Sequence, residues 1–188
     1  MSGFPVFKLA VFLLLAGNAV IYAGTGTENE AVDSLAWFVL LVLFQVETAF
    51  EAVMQRRGVA RAIRLIRFLA ALAIAAAAFG YLRDGEWLDA INAMLWIGVV
   101  ALLEFEVRCS VAAAAQRTAL LAVASALYSS LAAIVLVWVW QGEWFDAYDA
   151  LLWLVAFVAI ELNVQKAFRP ESRPASSRES VAEVVDKP

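Results

Sequence analysis

With Trp37, Trp96 and Trp153 set in register, two sets of polar side chains fall into line inside strongly apolar stretches. Gln45, Glu104 and Glu161 stand eight residues further on, and Glu47, Glu106 and Asn163 stand ten further on. An ionisable group at the centre of a membrane span costs about 2.5–3.5 kcal/mol on insertion scales, so something must offset it. Converging carboxylates supply hard oxygen ligands for a divalent cation such as Ca²⁺, Mg²⁺ or Mn²⁺. They can also share a proton, because desolvation and like charge both favour the neutral form. Residues two apart on a helix point about 200° away from each other. One set is therefore placed to face a central axis and the other a neighbouring hairpin. Assembly alone is the competing explanation. Glu104 precedes Arg108 by four residues and Glu161 precedes Lys166 by five, so interfacial ion pairs and interhelical hydrogen bonds would also satisfy them.

The elements that must position these groups are membrane spans. The chain is 64% hydrophobic over 188 residues, beyond what a water-facing surface permits. Apolar runs fall at 7–23, 35–54, 68–82, 87–107, 119–140 and 147–164, and a span needs about 17–25 such residues. The first and third are short, but the charge map supports all six. If all six cross, thirteen of the fourteen basic residues lie on one side and only Arg83 on the other. Cytoplasmic loops carry the Lys/Arg excess, so both termini are expected in the cytoplasm and the protein in the cell (cytoplasmic) membrane. The opposite side gathers Glu28, Glu30 and Asp33, then Asp84, Glu86 and Asp89, then Glu143, Asp146 and Asp149.

Offsets of 59 and then 57 residues align further columns. Tyr22, Tyr81 and Trp138 match, as do Gly26, Gly85 and Gly142, then Glu30, Asp89 and Asp146, then Asp33, Asn92 and Asp149. Self-similarity at a nearly fixed period marks a repeat architecture. The expected fold is an all-α membrane protein with six transmembrane helices. They form three parallel-oriented helical hairpin repeats, about 5–57, 63–115 and 118–168, with pseudo-threefold symmetry about the membrane normal. Together these make one domain, 1–168. Residues 169–188 are rich in Pro, Ser and Arg and predict a disordered cytoplasmic tail.

The outer acidic ring, Glu30, Asp33, Asp89, Asn92, Asp146 and Asp149, has a structural explanation. Glycine supplies the turn, and an acid in the first helical turn caps free N–H groups and complements the helix dipole. Such a ring can also gather cations at an entrance. Tyr22, Tyr81 and Trp138, with Trp87 and Trp144, read as an interfacial aromatic belt.

The chain has no histidine and one cysteine, Cys109. That leaves no imidazole for a metal or haem, no disulfide within the chain and no Ser/His or Cys/His pairing. An enzyme is not expected, nor a nucleic-acid partner. The expected surroundings are the lipid bilayer and, in one reading, a protein partner within it. Three parallel hairpins are similar in outline to the mitochondrial carriers. Those carry a Pro-x-acid-x-x-base signature on their odd helices, whereas Pro5, Pro170, Pro174 and Pro188 all lie outside the spans. Two functions follow. One is cation or proton binding and translocation through a carboxylate-lined cavity formed by the second, fourth and sixth spans. The other is a non-catalytic membrane subunit or assembly factor, whose acids only make interhelical or partner contacts.

Overall fold

The computed structural model describes the backbone of residues 3–50 and 56–167, and side chains chiefly between Val6 and Phe157. The expected tail, 169–188, and the side chains of Glu161 and Asn163 lie outside the described residues. By compactness the chain divides into Met1–Ala156 and Phe157–Pro188, and the packing below belongs to the first unit.

The elements in order are α1 Gly3–Thr25, α2 Glu28–Ala49, α3 Arg57–Asp84, α4 Trp87–Arg108, α5 Ser110–Ala115, α6 Arg117–Gln141 and α7 Trp144–Ala167. Among the described residues there is no strand. Five stretches are long and apolar enough to cross a membrane: Val6–Thr25, Glu28–Glu47, Arg57–Asp84, Trp87–Glu106 and Arg117–Gln141. The apolar run of α7 continues into residues whose side chains are not described. Large apolar residues cover the outside, with Val20 71%, Leu136 70% and Phe79 69% exposed. A water-facing monomer does not carry such a continuous apolar surface. The chain is a multi-pass, all-helical membrane protein.

Helix α3 starts eleven residues before the apolar run that announces it. At 1.5 Å per residue its 28 residues span about 42 Å, longer than the roughly 30 Å hydrocarbon core. Its first turns carry Arg57, Arg61 and Arg64, whose long stems tolerate the membrane boundary by snorkelling to water.

The helices close into a ring. Packing runs from α1 to α2, α2 to α3, α3 to α4 and α4 to α6. Between α6 and α7 the core is Ile134, Val135 and Trp138 against Ala147 and Ala150. The ring shuts where Val11 and Leu15 of α1 meet Leu152 and Ala156 of α7. Small residues bring backbones close where lipid gives no hydrophobic drive for association. The α3–α4 contact shows this: Ala77, Ala78, Ala90 and Ala93 surround Tyr81.

The turns at the acidic ends are built by two different devices. Gly85 and Gly142 sit at φ 82° and 86° as left-handed C-caps of α3 and α6. The next N–H, of Glu86 and of Glu143, donates back to the carbonyls of Tyr81 and Trp138 at 2.9 Å each, which completes the motif that favours glycine. Gly26 does not have a positive φ. A Cβ there would lie 2.8 Å from the Tyr22 carbonyl oxygen, so close approach is what requires glycine.

Candidate functional site

The acidic residues of α2, α4 and α7 share one spacing. Glu30, Asp33 and Trp37 lie at i, i+3 and i+7 on α2; Asp89, Asn92 and Trp96 do so on α4; Asp146, Asp149 and Trp153 do so on α7. That spacing places each triplet on a single helical face. All nine side chains line one cavity. Tyr22, Tyr81 and Trp138 complete the wall, each three residues before the end of α1, α3 or α6. Twelve of the fourteen lining residues thus belong to four columns of the 59/57 alignment; the other two are Ser34 and Ala150. The cavity measures about 60 Å³ to the centre of a water-sized sphere, enough for a few waters.

Its floor is aromatic. Trp37, Trp96 and Trp153 form a nearly equilateral triangle, with ring centroids 6.3–6.4 Å apart and planes inclined at 60–61°. Such tilted, edge-to-face contacts suit the ring quadrupoles. The Trp37 indole donates to Asp33 and the Trp153 indole to Asp149, one turn earlier on the same helix.

The wall is acidic and tied to the frame at defined points. Glu30 is the third residue of a capping box: the Glu30 N–H donates to Thr27 Oγ1 at 3.2 Å, and the Thr27 N–H donates to Glu30 Oε2 at 2.5 Å. Asn18 Nδ2 donates to Asp149 Oδ1 at 2.6 Å, and the Tyr22 hydroxyl donates to Asp146 Oδ1 at 2.6 Å. Both bonds join α1 to α7. Asn29 Nδ2 donates to Asp84 Oδ2 at 2.9 Å and fastens the start of α2 to the end of α3.

Among the described residues lining the cavity, none is basic. Arg83, the lone base near this end, is engaged by Asp84 at 2.9 Å. Two lining acceptors, Asp33 Oδ1 and Asn92 Oδ1, are buried without a hydrogen-bond partner. Glu86 Oε2, in the turn between α3 and α4, is a third buried acceptor of this kind. Burial first, and then the carboxylates of Glu30 and Asp84, hold the Glu86 carboxyl above the ordinary glutamate range. Five carboxylates around one cavity therefore face no internal countercharge. Among the described residues, no three Asp, Glu or Cys side chains come together closely enough to hold a metal ion.

The outer ring candidates are thus brought together as a cavity wall, with Glu30 serving as both cap and wall. The belt reading of Tyr22, Tyr81 and Trp138 is corrected: they are only 9%, 4% and 5% exposed. One turn in from the helix ends, on the inner face, they bury their rings against the acids. Trp87 and Trp144 instead stay on the outside, 64% and 67% exposed.

The inner polar residues stand elsewhere. Glu47 is paired with Arg67 of α3, and Glu104 with Arg108 at 2.5 Å within its own helix. Gln45 is half-buried and Glu106 exposed. Since exposed i, i+4 pairs contribute only about 0.3–0.5 kcal/mol, Glu104→Gln should shift the thermal midpoint by no more than a degree or two. A larger loss on melting the purified protein would mean that Glu104 has a partner beyond Arg108.

The tryptophan floor and Ser34 are site residues that sequence reasoning missed. The tryptophans served there only as register marks, although their fixed seven-residue distance from the first acid of each triplet was a readable signal. Ser34 carried none. No protein-family model, characterised protein or solved structure matches this chain. Fold and site define a class, a multi-pass helical membrane protein with an acidic, aromatic-floored cavity, and its function is read from its own residues.

Proposed function

We propose that this is a six-span protein of the cytoplasmic membrane that binds a cation or protons in the cavity between α2, α4 and α7. Its acidic end faces outward and both termini lie in the cytoplasm. Three hairpins, α1–α2, α3–α4 and α6–α7, are related by a pseudo-threefold axis through the tryptophan triangle. The observation carrying this reading is that four aligned columns of the sequence meet around one cavity whose carboxylates have no basic partner. Negative charge focused in a low-dielectric cleft concentrates cations, and a bound cation or shared protons would relieve the repulsion among the acids. The floor lies about 13 Å below the start of α2, by helical rise. Translocation would require the tryptophans to part, so binding is the step that the geometry supports best.

The inner acids fit the second reading, that of contacts for assembly. Glu47–Arg67 joins α2 to α3, and such a pair at the cytoplasmic end steadies the bundle without a ligand. The two roles are compatible at opposite ends of one protein.

The tryptophan floor supplies the test. In purified protein, intrinsic fluorescence should change saturably on adding a bound cation or on titrating from pH 9 to pH 4. The change should vanish in Asp33→Asn combined with Asp149→Asn. An unchanged spectrum for wild type across monovalent cations, divalent cations and pH would remove the binding function.

A further inference from the structure

We infer that the ligand of the acidic cavity is an N–H-bearing organic cation, a small molecule with a primary ammonium or guanidinium group, and not a metal ion. This rests on the cavity reading above and adds the chemical class.

Three features point the same way. First, the carboxylates line the wall at two levels, and no three of them gather to a metal-binding point among the described residues. A metal ion of the hard, oxygen-seeking kind needs six or more oxygens drawn to about 2.0–2.6 Å, whereas an ammonium is satisfied by dispersed acceptors at ordinary hydrogen-bond distance. Second, Asp33 Oδ1 on α2 and Asn92 Oδ1 on α4 are buried acceptors in the lining that receive no hydrogen bond. They occupy matching positions one turn above the floor. Buried acceptors left without donors are costly, and both belong to side chains of the lining, so an N–H-bearing ligand seated there would meet that need once the two side chains turn toward it. Third, the floor and the upper wall contribute six aromatic rings to the same cavity. Aromatic rings attract a desolvated organic cation and pack its alkyl part, but they offer a hydrated metal ion neither ligands nor water. The indole N–H groups of Trp37 and Trp153 are already given to Asp33 and Asp149, so those two residues present rings, not donors, to a ligand.

The whole protein, purified in detergent or placed in nanodiscs, is titrated at matched ionic strength with methylammonium, tetramethylammonium, Na⁺ and Ca²⁺, each as chloride. Tryptophan fluorescence and the thermal midpoint are the readouts. Methylammonium should bind most tightly, and tetramethylammonium, which has the charge but no N–H, about tenfold more weakly or worse, the weight of one charge-assisted hydrogen bond. Asp33→Asn should weaken methylammonium by about tenfold or more. Asn92→Asp, which adds a carboxylate where the other two helices have one, should tighten it. If Asp33→Asn does not fold, Asp89→Asn takes its place. Saturable binding of Na⁺ or Ca²⁺ that Asp33→Asn abolishes, with no methylammonium response, would overturn this inference and leave the cation cavity standing. Equal binding of methylammonium and tetramethylammonium would overturn the N–H requirement. No response to any of the four would overturn both the inference and the cavity's cation-binding role.

Discussion

Trp96→Ala should destabilise the protein by about 3 kcal/mol, the lower end for truncating a buried tryptophan. The lower end applies because the ring leaves a packed protein environment in a membrane, where transfer from water contributes little. Trp96 is 5% exposed and touches both other floor rings at 6.4 Å. Each aromatic contact contributes about 0.5–1.5 kcal/mol beyond burial, and the void left behind forfeits dispersion on every side. Against a total stability of about 5–15 kcal/mol the loss is large. Thermal unfolding followed by near-ultraviolet circular dichroism should show a midpoint well below that of wild type. Trp96→Phe, which keeps a ring, should fall between. A Trp96→Ala protein as stable as wild type would mean that the three rings do not hold the helices together.

The second large effect is expected at the seam between α1 and α7. Asn18 is 4% exposed and its amide donates to the Asp149 carboxylate at 2.6 Å. The Tyr22–Asp146 bond lies one turn away on the same seam. Asp149→Leu strands the buried Asn18 amide together with the Trp153 indole N–H and should cost at least about 2 kcal/mol, the range for losing one hydrogen bond to a charged group. Asn18→Leu leaves the carboxylate without its amide donor and should cost a similar amount. The double substitution Asn18→Leu with Asp149→Leu removes both needs at once, so its loss should be clearly smaller than the sum of the singles. Additive losses in chemical or thermal unfolding would mean that the bond contributes nothing to closing the ring.

Much of this architecture was legible in the residues. The helices follow from apolar runs bounded by charge. The alignment columns were legible too, yet their meaning was not. An acid in the first turn of a helix looks the same whether it caps that helix, as Glu30 does with Thr27, or faces a shared cavity. Only the packing of α2, α4 and α7 shows that it does both. Tyr22 and Tyr81 lie at a depth where an exposed belt residue and a buried cavity residue have the same sequence context, and the helix rotation decides between them. The inner acids draw attention because charge within a span is costly. Glu47 meets an arginine twenty residues away across a helix pair, a pairing that local spacing does not reveal. By contrast, Glu104–Arg108 is an i, i+4 pair and was readable at once.

In the proposed function, the cavity above the tryptophan floor is a cation-attracting space reached from the outside of the membrane. Ser34 lines that space and serine to cysteine is nearly isosteric, so Ser34→Cys in a Cys109→Ser background places one thiol there. Intact cells expressing this variant are treated with two membrane-impermeant thiosulfonate reagents of similar size, one bearing a trimethylammonium group and one a sulfonate. Labelling should proceed from outside without permeabilisation, with the cationic reagent faster by about ten- to a thousandfold, the range for charge focused in a cleft. Replacing Asp33, Asp89 and Asp149 by asparagine should bring the two rates together. Equal rates in the parent, faster reaction of the anionic reagent, or labelling only after permeabilisation would contradict the proposed function.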